Sequence, residues 1–121
     1  MARFERRRNE RYPIGPGFTA QLVGIEMPVT LVNIGVGGFA LASDRLMPSA
    51  TRVEVRFADL AQSWGTSLNA RIAYGVSQPC TEGEYRGKYI TGFAFVDADV
   101  PSVKRRIQEF ISKVMLEPVA G

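Results

Sequence analysis

The sequence predicts an all-β domain finished by one C-terminal helix, arranged as a small antiparallel barrel with the helix packed against it. Three observations carry that expectation. Short apolar runs from Phe18 to Val96 alternate with period two, turn-forming residues separate them, and the period becomes helical after Asp99. At 121 residues the chain is one domain, with a core large enough to fold without covalent help.

The elements follow in order. The first eleven residues hold five arginines and two acids, Glu5 and Glu10, a formal charge of 5 − 2 = +3. The whole chain is also +3, so charge cancels from Tyr12 onward. Proline pushes its predecessor out of helical geometry, so Tyr12-Pro13 ends this run. The expected division is a flexible arginine-rich arm over residues 1–12 and a single domain over 13–121. Thr19 to Val23 alternates, Met27-Pro28 breaks the pattern, and Val29 to Val32 resumes it. Next comes Asn33-Ile34-Gly35-Val36-Gly37-Gly38, where glycine can supply positive φ for a hairpin or bulge, and then Phe39 to Ala42. Residues 44–49 read as a loop containing Pro48.

Arg52 to Phe57 is a strand with Val53, Val55 and Phe57 buried. Leu68, Ala70, Ile72 and Tyr74 share one face of the next strand, alternating with Asn69, Arg71 and Ala73. Residues 78–87 form a long hairpin loop before a last strand, with Tyr89, Thr91, Phe93 and Phe95 on one face. Val100, Val103, Ile107, Phe110, Ile111 and Val114 then fall at helical spacing, which predicts a helix over about residues 100–116. Asp99 is placed to cap its start, and Pro101 suits a first turn. The apolar stripe either rests on the barrel or serves a partner or second subunit, so monomer and homodimer both stay open.

Composition excludes several function classes. The 45% apolar and 22% charged shares are those of an ordinary globular domain. No apolar run approaches the roughly eighteen residues of a membrane span, and the arginine-rich start lacks the apolar stretch of a secretory signal. Cys80 is the only cysteine, which fits a reducing cytoplasm. Histidine is absent, removing the commonest general base and the commonest metal ligand. The expectation is a cytoplasmic non-enzyme with no catalytic residues, no metal and no cofactor. Met1 and the lack of a trailing linker suggest a stand-alone protein.

The candidate functional residues lie in two places. Arg7 and Arg11 form an RxxxR pair within RRRNERYPI, and guanidinium forks meet phosphate or a guanine edge bidentately. Taken alone, the pair is as often a solvated tail as a functional element, and an arm that tracks nucleic-acid phosphates is a second candidate. No second basic stripe and no recognition-helix or zinc-finger pattern supports a nucleic-acid partner. The glycine segment has no Gly-Lys-Ser or Gly-Lys-Thr, so it is not a Walker loop, and a strand follows it where a dinucleotide fold needs a helix.

Together the two motifs are more specific. An RxxxR pair followed, after twenty-one residues, by Asn33-Ile34-Gly35-Val36-Gly37-Gly38 resembles the PilZ domain family, whose second motif is (D/N)xSxxG. The flanks LVNIGVGGFAL and GFAFVDADVPSVKRRIQEFI are similar too, so the resemblance runs from about Glu5 to Ile111. It implies a six-stranded antiparallel barrel with a C-terminal helix, and a receptor for cyclic di-GMP (c-di-GMP), a bacterial second messenger.

The same resemblance gives Arg7 and Arg11 the phosphates and guanines, Asn33 a guanine, and Gly38 close approach of backbone to ligand. Arg6 sits where the family varies residues that set how many ligand molecules stack, and Arg8 is either an auxiliary contact or a solvent-facing side chain. Gly35 stands where the family has serine, so a hydroxyl is missing from the site. A lost hydrogen bond to a charged ligand costs roughly 1.5–3 kcal/mol, which weakens binding without abolishing it. The resemblance implies an effector protein in motility, exopolysaccharide or biofilm control, reached through a ligand-driven ordering of the arm. The alternative is a PilZ-like interaction module that no longer binds nucleotide.

Overall fold

The computed structural model describes residues 11–14, 17–47, 52–75 and 78–116. Its strands are β1 (Tyr12–Pro13), β2 (Phe18–Leu22), β3 (Val29–Ile34), β4 (Gly38–Ser43), β5 (Val53–Asp59), β6 (Gly65–Gly75) and β7 (Tyr89–Phe95), followed by helix α1 (Pro101–Leu116). All pairings are antiparallel, in one seven-stranded sheet of order β1-β3-β4-β7-β6-β5-β2. The sheet curls until β2 approaches β3, with no ladder joining them. The architecture is thus the expected curled antiparallel sheet with one helix. It has seven strands where six were expected because Tyr12 and Pro13 pair with Ile34 and Asn33. Tyr12 therefore belongs to the sheet and not to the arm.

The inner face is aromatic. Phe39 stacks on Phe93 at 4.9 Å between ring centroids and meets the edge of Phe57 at 5.2 Å. Helix α1 plugs the open side with Ile107, Phe110, Ile111 and Val114, all buried. Phe110 lies 4.7 Å from Phe57, 5.3 Å from Trp64 and 5.5 Å from Phe18, so one helical side chain joins three strand-borne or turn-borne rings. Pairs of this kind stabilise beyond the area they bury. Of the two open readings of the stripe, packing on the sheet is the one observed.

Two details at the helix start differ from expectation. Val100 is 41% exposed and lies outside the stripe. Its carbonyl accepts the first helical hydrogen bond, from the Lys104 amide at 2.8 Å, so Val100 and not Asp99 occupies the capping position. Pro101 then takes the first helical position, where its missing N–H costs nothing.

Two register shifts matter for function. In β3, Leu31 pairs with Leu41 but Asn33 pairs with Ala40, so Val32 is an extra residue. In β6, Ile72 pairs with Phe93 but Tyr74 pairs with Gly92, so Ala73 is extra. A bulge reverses the inward–outward alternation beyond it. Without the first bulge Asn33 would share the buried face with Leu31; with it, Ile34 is buried and Asn33 faces outward. The second bulge corrects the expectation for Tyr74, which leaves the face of Leu68, Ala70 and Ile72 and is 53% exposed.

Candidate functional site

The outer face of the sheet carries small residues where the inner face carries rings. Phe39, Leu41, Thr91 and Phe93 point inward, which leaves Gly38, Ala40 and Ala42 of β4 and Gly92 and Ala94 of β7 outward. One row of paired residues crosses five strands: Pro13, Asn33, Ala40, Gly92 and Tyr74.

Arg11 sits at the β1 end of that row. The β1–β3 pairing, extended by the Ile14 amide donating to the Val32 carbonyl at 3.3 Å, fixes the backbone just after it. Its Nη1 donates to Asn33 Oδ1 at 3.1 Å. Two candidates twenty-two positions apart are therefore in direct contact on one face. Arg11 is exposed and Asn33 half-buried, so the guanidinium keeps donors free for an anion while one bond orients it. Arg6, Arg7 and Arg8, with the remainder of the expected arm, lie outside the described residues.

The turn beside Asn33 is tight. The Gly35 amide donates to the Gly38 carbonyl at 2.8 Å, closing Val36-Gly37 into a hairpin connection. Neither Gly37 nor Gly38 adopts the left-handed conformation that the glycine content suggested. Gly38 is required for a different reason. A Cβ there would lie 1.9 Å from the Phe93 carbonyl oxygen, since β4 and β7 approach closely at this point. The Gly37 carbonyl, in turn, accepts the Phe95 amide at 3.0 Å. At Gly35 the hydroxyl of a serine is absent, and the amide is engaged in the turn.

At the far end of the row, Tyr74 covers Gly92. A Cβ on Gly92 would fall 2.0 Å from Tyr74 Cε1, so the ring occupies the space a side chain would need. Strand alternation alone could not have revealed this residue, because the bulge that turns it outward has no signature in β6. Among the described residues no group of histidine, cysteine or acidic side chains could hold a metal ion. No helix there is long and apolar enough to cross a membrane.

The sequence model of the PilZ domain matches residues 5–113, nearly the whole chain. This chain belongs to the PilZ domain family. Its fold is similar to that of the PilZ domain with c-di-GMP of YcgR from Escherichia coli, with a TM-score of 0.67 at 14% identity over 88% of each chain. No protein of curated function matches the sequence. The two segments that carry the sequence resemblance, RRRNERYPI and NIGVGG, both fall within the matched PilZ region. Of their residues, the structure brings Arg11, Asn33, Gly35 and Gly38 to one end of the outer face.

Proposed function

We propose that this PilZ domain is a cytoplasmic receptor for c-di-GMP that works by binding and shape change, without catalysis. Arg7 and Arg11 meet the ligand's phosphates and guanines, Asn33 accepts or donates at a guanine edge, and Gly38 keeps the turn flush beneath the ligand. Arg6 and Arg8 are further contacts. The observation that carries this reading is the Arg11–Asn33 hydrogen bond, because it joins the two halves of the site. The solved relative bound to c-di-GMP lends support through its fold.

Ligand would draw the arm that precedes Arg11, residues 1–10, onto the outer face, and the reshaped surface would be read by an effector in motility, exopolysaccharide or biofilm control. The binding energy lies in charge-assisted hydrogen bonds, which are the strong ones. Calorimetric titration with c-di-GMP tests the receptor. Saturable heat that Arg11→Ala weakens is the expected result, and no heat at high micromolar ligand would overturn the proposal.

A second reading has one observation in its favour. Gly35 supplies no hydroxyl where the family motif has serine, as expected of an interaction module that has lost nucleotide binding. That reading requires partner capture and melting temperature to be indifferent to c-di-GMP.

A further inference from the structure

We infer that the recess lined by Arg52, Arg71, Val96 and Asp97 is where this domain docks its protein partner, and that the partner brings an acidic segment to it. Both readings above end in a protein partner. This inference rests on that much of them and adds the surface and its chemistry.

Strand register carries the argument. Val53 pairs with Ala70, so one further step sets Arg52 opposite Arg71, which in turn pairs with Ala94. Val53 and Ala70 are buried, which turns both arginines to the outer face, where both are exposed. Like charges directly opposite on one face of a sheet destabilise it. Among the described residues neither guanidinium is ion-paired, and the ion pair found there joins Lys88 to Asp44. Glu54, the next outward residue of β5, stands opposite Asn69 and does not line the recess. Within its volume of about 530 Å³, Asp97 is the one acid beside two guanidiniums. A partner's carboxylate set between them would convert the repulsion into two charge-assisted contacts.

The surroundings suit a protein better than a small molecule. Small ligands are held where most of their surface is buried, and these arginines stand in the open. Val96 is half-buried in the recess, and hydrogen bonds bring two exposed valines to its rim. The Val100 amide donates to the Asp97 carbonyl, and the Gly37 carbonyl, next to Val36, accepts the Phe95 amide, both at 3.0 Å. Arginine beside apolar side chains is a composition that protein interfaces favour. The Gly37–Phe95 bond also ties the Asn33–Gly38 turn to the backbone of the recess.

The test needs neither c-di-GMP nor the partner itself. The full chain is titrated with end-blocked hexaglutamate while the arginine Nε–Hε signals are followed by NMR. Hexalysine and inorganic phosphate at matched ionic strength form the other arms. Hexaglutamate should shift Arg52 and Arg71 with a single dissociation constant and leave Arg56, farther along β5, nearly still. Arg52→Gln or Arg71→Gln should weaken the peptide by about 1.5- to fivefold, the strength of an exposed ion pair, and Arg56→Gln should not. Neither of the first two should lower the urea midpoint, because each removes a repulsion. A lower midpoint would assign the arginines to the fold and overturn the inference. No shift, equal shifts at Arg56, or an equal response to hexalysine would overturn it too. Phosphate binding as tight as the peptide would give the recess to a free oxyanion and overturn the protein partner. Absent heat with c-di-GMP would defeat the receptor reading alone and leave these outcomes as they are.

Discussion

The inner and outer faces of the β4–β7 pair use the same backbone for opposite ends. Inward, Phe39 and Phe93 stack at 4.9 Å within a cluster that Phe110 of α1 completes. Outward, Gly38, Ala40, Gly92 and Ala94 are small, and all but Ala94 are buried beneath larger neighbours. Large rings inside hold the strands together, whereas the outer face sets small residues beneath larger neighbours, as Gly92 lies beneath the Tyr74 ring. The difference teaches where each kind of mutation should register. Inner substitutions should change stability and leave affinity alone, whereas outer ones should do the reverse.

Phe110→Ala should show the largest effect. Removing a fully buried ring that touches Phe18, Phe57 and Trp64 should cost about 3–5 kcal/mol in urea unfolding, with affinity unchanged while the domain stays folded. Gly38→Ala breaks the separation, because its Cβ would strike the Phe93 backbone between the two faces. It should lower stability by about 1–3 kcal/mol and weaken ligand binding as well. A Gly38→Ala protein with wild-type values of both would show that β4 and β7 are not locked at this point.

Arg11→Ala sharpens the contrast from the outer side. It should weaken c-di-GMP by about ten- to hundredfold, the worth of a hydrogen bond to a charged group, at an unchanged urea midpoint. Gly35→Ser should tighten binding by about tenfold, since it restores the hydroxyl of the family motif. Equal affinities would mean that a water already fills that role.

The smallest effect belongs to the turn between β5 and β6, away from the outer row. The Asp59 carboxylate accepts from the Ser63 hydroxyl and from the Trp64 amide at 3.0 Å, which hold it below the ordinary value of 3.8. A depressed carboxylate stabilises the fold above its unfolded pKa and loses that contribution as pH falls through its folded value. Ser63→Ala should therefore move the acid unfolding midpoint slightly upward, with no change in ligand affinity at neutral pH.

Most of the inner face was legible in the residues. Val53, Val55 and Phe57 alternate without interruption and are buried, and Ile107, Phe110, Ile111 and Val114 keep helical spacing and seal the sheet. Periodicity reports a regular backbone, and these segments are regular. The outer face was legible only through motif resemblance. Asn33 and Tyr74 owe their orientation to bulges, and neither Val32 nor Ala73 is a residue type that marks one. Gly38 was read for close approach of backbone to ligand, but its neighbour across the strand pair, fifty-five positions later in the chain, already requires a glycine there. Strand β1 escaped notice because Tyr12–Pro13 is too short to alternate. At the helix start, a suitable capping type at Asp99 lost to chain geometry, since Asp99 lies within the turn closed by the Val100 amide on the Asp97 carbonyl at 3.0 Å.

The central claim is that ligand meets the outer row and not the helix or the inner core. Amide chemical-shift mapping during titration with c-di-GMP tests it most directly. The account expects the large changes at Arg11, Asn33, Gly35, Gly92 and Tyr74, with Ile107 to Val114 of α1 nearly still. Changes concentrated on α1, or none at saturating ligand, would contradict it.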